Sequence, residues 1–236
     1  ALSSYISMQL DYATYGEGEE QAKGEALAAL MTPVAKAFFT DLGFENTVAG
    51  QQVFGGHGFI REWGQEQLVR DARITQIYEG TNGIQAMDLL VRKIATSKGA
   101  MLNVFTDEVS EYINANRGDA EMAEFITPLE AALIDLSELT SDLLTKSENN
   151  INELGASAND YLHVFGYTAM AYIWAKMAQV SLTQQKNNGE SGSDFYQSKL
   201  HTARYYFTRL LPRRISLIAS AKSGCDCMFD IDDELF

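Results

Sequence analysis

The strongest candidate for chemistry in the sequence is one carboxylate, Glu79, which lies between an aromatic residue and a glycine. The run Tyr78-Glu79-Gly80-Thr81 stands directly before a helical pattern that begins near Ile84. A carboxylate among apolar neighbours can act as a general base that removes a proton beside a carbonyl group. A carboxylate at the beginning of a helix can equally serve only to complement the helix dipole. The residues alone leave both interpretations open.

A second candidate is the glycine-rich turn Gly55-Gly56-His57-Gly58. Glycine has no Cβ, so a ligand or another backbone segment can approach closely. Exposed backbone N–H groups in such a turn can bind phosphate. For this turn taken alone, we favour the simpler interpretation of a tight connection between two helices. His57 could approach a cofactor, but a histidine in a turn is more often structural or exposed to solvent.

The composition limits the kinds of protein that this chain can be. Its 236 residues are 46% apolar and 21% charged, which is typical of a folded globular protein. The net charge of −14 argues against nucleic-acid binding and against a polybasic membrane anchor, since both need a basic surface. No run of about 18 apolar residues occurs, so we expect no membrane span. The two cysteines, Cys225 and Cys227, favour a reducing, cytoplasmic location over a disulfide framework.

The elements that must position the two turns are predicted to be helices, so the expected fold class is all-α. Apolar residues recur at helical spacing from Leu2 to about Leu42, with one break at residues 16–19. Pro33 lies inside the second part of that stretch and should kink the helix or begin a new one. A further helix is expected from about Ile84 to Ala95, after the turn that contains Glu79.

The later sequence has the pattern of a plain helical bundle. Four helices are expected there, at about residues 101–116, 122–143, 160–184 and 195–223. The third is apolar nearly all round, so we expect it at the centre of the bundle. Asn149-Asn150 and Gly155 mark the loop before it, and residues 186–193 form a polar loop after it. Pro212 should kink or divide the last helix.

We predict two structural units from this change of pattern. Residues 1–98 carry both candidate turns, and residues 99–236 form a second, up-and-down helical bundle. The chain begins Ala-Leu-Ser-Ser, with neither Met nor a signal-peptide pattern, so we expect a piece of a longer polypeptide.

Three segments carry a resemblance to a known family. They read QQVFGGHGF at 51–59, VRDARI at 69–74 and QIYEGTNGIQ at 76–85. In this order and spacing they closely resemble the C-terminal helical domain of the acyl-CoA dehydrogenases, flavoenzymes that oxidise acyl-CoA thioesters to 2-enoyl-CoA. The chain looks most like the branch with an added C-terminal helical domain, which includes 3-methylmercaptopropionyl-CoA dehydrogenases. The motif-level resemblance covers about residues 34–93.

The resemblance implies a role for each matched position. Glu79 would be the catalytic base that takes the α-proton while the β-hydrogen leaves as hydride to the flavin. The backbone N–H of Glu79 would donate to the thioester oxygen. Gly80 would line the acyl channel, and Gly83 stands where many relatives carry a Gln. The residues implied to contact FAD are Gln52, Val53, Phe54, Gly55, Gly56, Thr81, Asn82 and Gly83.

The same resemblance implies partners and an assembly. Residues 52–56 match the stretch that contacts the flavin of a neighbouring subunit, so the enzyme would be at least a homodimer. Its substrate would be an acyl-CoA, and an electron-transferring flavoprotein would accept the electrons. The family's N-terminal helical domain and middle β-domain have no counterpart in this sequence, so we expect this chain alone to be inactive. The acyl-chain length does not follow from these residues, since other segments would shape the pocket.

Two other functions stay open from the sequence. An all-α chain could be a non-catalytic oligomerisation or interaction module, although such a module has no need of Glu79 together with the upstream glycine turn. An acyl-CoA oxidase would keep a similar base and pass its electrons to oxygen, although the residues of the motif favour a dehydrogenase.

Two further groups of polar residues are interpreted as structural. His163 and His201 lie in helical patterns without a ligand-like partner nearby, which favours packing roles. Arg70, Asp71 and Arg73 are expected to form ion pairs that hold the turns together.

Overall fold

The structure is a computed structural model that describes residues 1–188, 193–230 and 233–235. Within these ranges it consists of helices and turns without strands, so the all-α prediction is confirmed. The α-helices are α1 (Leu2–Tyr15), α2 (Gly18–Val53), α3 (Gly56–Phe59), α4 (Gln65–Arg73), α5 (Asn82–Met87), α6 (Ala100–Asn116), α7 (Ala123–Ser147), α8 (Asn152–Asn188), α9 (Ser193–Tyr205) and α10 (Arg214–Lys222). The π-helical segments are Asp88–Ala95 and Tyr206–Leu210, and the 3-10 turns are Arg61–Trp63, Ile74–Gln76, Leu211–Arg213, Asp226–Met228 and Asp233–Leu235.

Two long helices, α2 and α8, form the centre of the protein. The helix that was expected to be apolar nearly all round is α8, and its Tyr161 and Phe165 are completely buried. At Gly166 of α8, a Cβ atom would lie 2.5 Å from the ring of Phe38 of α2. Because any side chain at this position would collide with that ring, Gly166 allows the two helices to approach closely.

One continuous hydrophobic core includes residues from both predicted units. Phe38 of α2, Phe105 of α6 and Phe165 of α8 are completely buried in it. The ring centroids of Phe105 and Phe165 lie 5.1 Å apart, within the usual range for aromatic pairs. Burial of such large apolar side chains supplies most of the driving force for folding. The division between residues 98 and 99 stays a prediction.

A carboxylate in this interior ties four helices together. Glu108 of α6 accepts hydrogen bonds from Tyr5 of α1 at 2.8 Å and from Tyr172 of α8 at 3.0 Å. Its other oxygen lies 2.8 Å from the ammonium group of Lys23 of α2. Burial opposes the charge on Glu108, but the bonds from Lys23 and the two tyrosines outweigh it, so the pKa of Glu108 lies below its usual value.

Several helix boundaries differ from the sequence-based expectations. The helix that contains Pro33 continues from Gly18 to Val53, so no new helix begins at the proline. Gly155 lies within α8, so the loop predicted there is confined to residues 148–151. Packing of α8 against the core outweighs the small helix penalty of one glycine. The predicted polar loop at 186–193 begins too early, because α8 runs to Asn188, and residues 189–192 lie outside the described residues.

The predicted division at Pro212 is confirmed. The α-helical run stops at Tyr205, and a π-helical segment and a 3-10 turn follow before α10 begins at Arg214. Pro212 lies within that 3-10 turn, where its missing N–H is tolerated.

By length and composition alone, α2 could cross a membrane, since its most apolar window of 18 residues has a mean hydropathy of 1.2. Of that window, 44% is buried inside the protein. A helix at the core of a globular protein meets the same test, because it too must be apolar. The absence of a membrane span therefore stays a prediction.

Candidate active site

Glu79 lies at the tip of a turn between the 3-10 segment Ile74–Gln76 and α5. Its φ angle is 54°, in the left-handed region, and that of Gly80 is 86°. A left-handed conformation costs an L-residue about 1–2 kcal/mol. Such strain persists only where the surrounding structure holds the residue, and it clusters at functional sites. Lys98, beside Gly99 at the end of a helix, is the other described non-glycine residue with a positive φ.

The turn presents both a proton acceptor and hydrogen-bond donors to solvent. The Glu79 side chain is exposed, and its carboxylate has no hydrogen-bond or ion-pair partner within the described residues. Among the described residues, the backbone N–H groups of Glu79 and Gly80 also have no acceptor. The carbonyl oxygen of Glu79 accepts a hydrogen bond from Nε2 of Gln85 at 3.1 Å, which closes the turn. A ligand with a carbonyl oxygen could therefore meet a carboxylate and a backbone donor at one place.

The residues after Glu79 begin helix α5. The Thr81 hydroxyl caps this helix by accepting a hydrogen bond from the backbone N–H of Ile84 at 3.4 Å. Gly80 combines its left-handed backbone with a close neighbour, since a Cβ there would lie 3.0 Å from Nε2 of Gln85. At Gly83 a Cβ would meet nothing within 4 Å, so the surface above the first turn of α5 is open.

Asn82, by contrast, turns its side chain into the protein. It is 9% exposed, and its Nδ2 donates to Oδ1 of Asp41 at 2.6 Å and to the carbonyl oxygen of Ala37 at 3.3 Å. Its Oδ1 accepts from Nζ of Lys36 at 2.8 Å. A contact between Asn82 and a flavin would therefore be made by its backbone, because the side chain is occupied within the protein.

Asp41 of α2 is a polar centre that the sequence patterns did not indicate. Its Oδ1 accepts a second hydrogen bond, from Nε2 of Gln76 at 2.6 Å. Its Oδ2 lies 3.0 Å from Nε2 of His163 of α8, so His163 has a polar partner from a distant part of the sequence in addition to the packing role expected for it. The two residues are far apart in sequence, and helical periodicity does not reveal which helices meet.

Both members of this pair are mostly buried, and each favours its charged form. Burial opposes the charge on Asp41, but hydrogen bonds from His163, Gln76 and Asn82 hold its pKa below the usual value. Burial also opposes the charge on His163, but its bonds to Asp41 and to the Asn159 carbonyl raise its pKa above the usual value. When His163 is protonated, the two side chains form an ion pair beneath the Glu79 turn.

The glycine-rich turn follows the end of α2. Gly55 has a φ angle of 60°, and its N–H donates to the carbonyl oxygen of Gln52 at 3.0 Å. Gly58 is buried against the helix end, where a Cβ would collide with the carbonyl group of Gln51. The residues of the predicted flavin-contacting stretch are all exposed to solvent: Gln52, Val53, Phe54, Gly55 and Gly56.

The structure does not place the two turns on the same part of α2. The Glu79 turn is anchored at Asp41, and the glycine turn packs on Gln51, ten residues further along the helix. At 1.5 Å per residue, these anchor points are about 15 Å apart along the axis of α2. The tight connection between helices that the glycines suggested is present, since Gly55 links α2 to the short helix α3.

Large apolar side chains are exposed around both turns. Val53 is 86% exposed and Phe59 is 80% exposed, and seven others are between 45% and 57% exposed: Phe54, Ile60, Trp63, Ile74, Ile77, Tyr78 and Ile84. Isolated apolar residues on a surface are ordinary, whereas a concentration of them marks a binding or interaction surface.

The ion pairs expected among Arg70, Asp71 and Arg73 do not form among the described residues. Asp71 accepts a hydrogen bond from Gln67 at 2.7 Å instead, four residues earlier on α4. Neighbouring residues on a helix point in different directions, so Arg70 and Asp71 do not face each other. Arg73 donates to Oε1 of Gln76 at 3.1 Å and so supports the start of the Glu79 turn by a different contact.

Two family models match the chain. The model described as the C-terminal domain of acyl-CoA dehydrogenase matches residues 12–94. The model described as acetyl-CoA dehydrogenase C-terminal like matches residues 105–232. The first match includes both candidate turns and Asp41, and the second includes His163.

The curated relatives include three bacterial enzymes. A 3-methylmercaptopropionyl-CoA dehydrogenase of Ruegeria pomeroyi is 30% identical over 203 residues, which are 86% of this chain and 34% of the relative. A butyryl-CoA dehydrogenase of Syntrophomonas wolfei is 26% identical over 215 residues, covering 89% of this chain and 35% of the relative. A broad-specificity linear acyl-CoA dehydrogenase of Mycobacterium tuberculosis is also 26% identical, over 88% of this chain and 35% of the relative. The chain spans about a third of the length of these relatives.

Proposed function

The chain belongs to the acyl-CoA dehydrogenase family, and on that premise we propose that it is the C-terminal part of an FAD-dependent enzyme that converts an acyl-CoA to the 2-enoyl-CoA. The observation that carries the proposal is the Glu79 turn, in which an exposed carboxylate is held on strained backbone beside N–H groups that have no acceptor among the described residues. The substrate and partners belong to the whole enzyme and are part of the proposal.

The proposed role of Glu79 is to remove the proton from the carbon next to the thioester carbonyl. As that proton leaves, negative charge develops on the thioester oxygen. The backbone N–H of Glu79, which has no acceptor among the described residues, would donate to this oxygen. A preorganised donor of this kind typically contributes a few kcal/mol to the stability of the transition state. Gly80 would line the acyl channel, as the resemblance implies, and its left-handed backbone favours glycine at this position.

The residues around the turn fit a flat and largely apolar cofactor. Tyr78 and Ile84, one before and one after Glu79 in the sequence, both expose apolar surface, and the surface above Gly83 is open. The Thr81 hydroxyl and the first backbone N–H groups of α5 would hold the polar atoms of the flavin. Bound FAD supplies the acceptor for the hydride that leaves the β-carbon.

The resemblance of residues 52–56 to a stretch that contacts the flavin of a neighbouring subunit supports the proposal of a homodimer. The anchor of the glycine turn lies about 15 Å along the helix axis from the anchor of the Glu79 turn. That separation leaves the glycine turn free to serve a different flavin from the Glu79 turn. We therefore propose that residues 52–56 complete the site of a second copy. The exposed Val53 and Phe54 would be covered in that assembly.

The test uses the full-length polypeptide that carries this chain. The flavin absorbance is followed during anaerobic addition of a panel of acyl-CoAs of different chain length. We expect at least one acyl-CoA to bleach the wild-type flavin. We expect Glu79→Gln to bind the same acyl-CoA, seen as a shift of the flavin spectrum, without bleaching. Glu79→Gln keeps the size of the side chain and removes the base, so the comparison isolates the proton transfer.

Bleaching in Glu79→Gln at the wild-type rate would show that another residue is the base. A purified protein that neither contains nor takes up flavin would favour the non-catalytic interaction module. Reoxidation separates the remaining alternatives, because an oxidase returns its electrons to oxygen rapidly and a dehydrogenase needs the electron-transferring flavoprotein. The proposed cytoplasmic location agrees with the free thiols of Cys225 and Cys227.

A further inference from the structure

The Glu79 turn is held from both sides by one carboxylate of α2. Gln76 lies three residues before Glu79 and Asn82 lies three residues after it. Both donate their side-chain amides to the same oxygen of Asp41, each at 2.6 Å. We propose that Asp41 and His163 are positioning residues that clamp the Glu79 turn, and that protonation of His163 sets how firmly the clamp holds. The inference rests on the proposed function of Glu79 and deepens it.

The orientation of each amide is settled by its partners. Gln76 turns its oxygen to the guanidinium of Arg73 at 3.1 Å and its nitrogen to Asp41. Asn82 turns its oxygen to the ammonium group of Lys36 at 2.8 Å and its nitrogen to Asp41. Each amide therefore lies between a cation and the carboxylate, and a flipped amide would face two like partners. The clamp fixes both flanks of the turn.

His163 secures the second oxygen of Asp41. Its Nε2 lies 3.0 Å from Oδ2 of Asp41, and its Nδ1 lies 2.9 Å from the carbonyl oxygen of Asn159. A carboxylate and a carbonyl group both accept hydrogen bonds and cannot donate them. Only the imidazolium form has an N–H on both ring nitrogens, so this geometry is fully satisfied only when His163 is protonated.

The charges around His163 determine the pH range of the clamp. His163 faces Asp41 of α2 and Asp160 of its own helix, α8. Lys36 of α2 is separated from this pair by the side chain of Asn82. Gln76 and Asn82 from the turn are uncharged amides, and Phe38 of α2 packs its ring at 5.9 Å from the imidazole. The two acidic groups both favour the protonated ring.

The directions of the pKa shifts of His163 and Asp41 define the pH range in which the clamp is complete. The pKa of His163 is raised above 6.5. The stability that His163 contributes to the clamp is therefore complete below pH 6.5 and is lost as the pH rises through the raised pKa. The pKa of Asp41 is lowered below 3.8, so its contribution is present above pH 3.8 and is lost as the pH falls through the lowered value. The clamp is therefore strongest between about pH 3.8 and pH 6.5, and it weakens as the pH rises through the raised pKa of His163.

The strain at Glu79 gives this clamp its function. A left-handed glutamate relaxes towards ordinary backbone unless both flanks are fixed. Relaxation would turn the Glu79 carboxylate and N–H away from each other and from a bound thioester. His163 lies on α8, beyond residue 99, so the helices of the later sequence would support the geometry of the catalytic turn.

The test measures amide hydrogen exchange in the full-length polypeptide, followed by mass spectrometry at pH 6 and pH 9 after correction for intrinsic rates. The variants are His163→Leu, which removes the donor, and His163→Gln, which keeps a donor near the position of Nε2 but cannot titrate. Asp41→Asn removes the charge with little change of shape. His201→Gln is the matched control, since His201 is an exposed histidine on α9.

We expect exchange in residues 76–83 to be about tenfold faster in His163→Leu, the effect of losing one hydrogen bond to a charged group. His163→Gln should restore most of the protection at pH 6 and remove the difference between pH 6 and pH 9. A merely structural role would raise exchange equally in the buried helix α7. Unchanged exchange in residues 76–83, or an equal rise in α7, would overturn the proposal.

Kinetics with the acyl-CoA that bleaches the flavin separates this inference from the proposed function. The clamp predicts that His163→Leu lowers kcat about tenfold while KM changes little, and that His163→Gln recovers most of it. Faster exchange in the turn of a protein that no acyl-CoA reduces would support the clamp and refute the proposed function. If the enzyme is active but the His163 variants exchange their amide hydrogens in residues 76–83 at the wild-type rate, the clamp is refuted and the proposed function is unaffected.

Discussion

Replacing Glu79 by glycine should make the folded chain more stable while it removes the proposed base. Glu79 is held at a φ of 54°, and its side chain has no partner within the described residues. The substitution therefore removes backbone strain without breaking a contact. A gain in stability on loss of a charged side chain is unusual, and here it follows from the conformation of one residue.

The expected gain comes from two opposing effects. Relief of the left-handed conformation is worth about 1–2 kcal/mol. Glycine is more flexible in the unfolded chain, which costs about 0.5–1 kcal/mol. The net gain in the free energy of unfolding is then about 0–1.5 kcal/mol, with a central value of about 0.75 kcal/mol. For a chain of this size the central value corresponds to a rise in Tm of about 1.5–3 °C.

The measurement is urea denaturation of the 236-residue chain, followed by far-UV circular dichroism. Glu79→Ala is the matched control, since alanine loses the same carboxylate but keeps the Cβ atom that causes the strain. Lys98→Gly is the second control, because Lys98 is exposed and has a φ of 51° outside the turn. We expect both glycine variants to be more stable than wild type, and Glu79→Ala to show no such gain.

The reasoning fails if Glu79→Gly is no more stable than Glu79→Ala. Equal stability would mean that Glu79 relaxes without cost and that the turn stores no strain. The full-length polypeptide completes the comparison, because Lys98→Gly should keep the activity that Glu79→Gly abolishes. Equal stabilisation with unequal loss of activity would indicate that the Glu79 side chain is needed for catalysis, whatever its effect on stability.

Three further substitutions test the packing that supports the turn. Glu108→Leu should cost about 2–4 kcal/mol in urea denaturation, since it leaves two tyrosine hydroxyls and Lys23 without their acceptor. In wild type, the lowered pKa of Glu108 predicts a contribution to stability that is present above pH 4.5 and disappears as the pH falls through the lowered value, measurable as a loss confined to acid. Gly166→Ala should cost about 1–3 kcal/mol, because its Cβ would lie 2.5 Å from the buried ring of Phe38. Gly43→Ala should instead raise the free energy of unfolding by about 0.5–1 kcal/mol, since nothing lies within 4 Å of its added Cβ. Equal effects of the two glycine substitutions would contradict the close approach of α2 and α8.

Helical periodicity predicted most of the fold because long amphipathic or apolar helices carry a strong and local signal. Its errors have a common physical origin. At Pro33 and Gly155 the local residue type disfavours a helix, yet α2 and α8 continue through both positions. The penalty of one such residue is a few kcal/mol at most, and burial along a helix of more than 30 residues exceeds it. Local signals of interruption are least reliable in the most buried helices.

The support of the candidate site could not be predicted in the same way. Glu79 stands in a recognisable segment, so its place in the sequence was enough to single it out. Asp41 and His163 are paired only because α2 and α8 meet, and 122 residues separate them in the chain. The only local signal was a carboxylate on a largely apolar stretch of α2, and a charge there is more often a solvent-exposed residue. Pairs across a tertiary contact leave no trace in periodicity.

The geometry also bears on the two interpretations of Glu79 that the residues left open. A carboxylate that only complements a helix dipole belongs in the first turn of the helix, on ordinary backbone. Glu79 lies before α5, and Thr81 already supplies the cap of that helix. A role in the dipole would therefore need neither the left-handed conformation nor a clamp that fixes both flanks through Gln76 and Asn82. A catalytic Glu79 would contact one substrate through both its carboxylate and its backbone N–H, so the two groups must be held in a fixed geometry. The strain and the clamp provide such a geometry and therefore favour the catalytic interpretation.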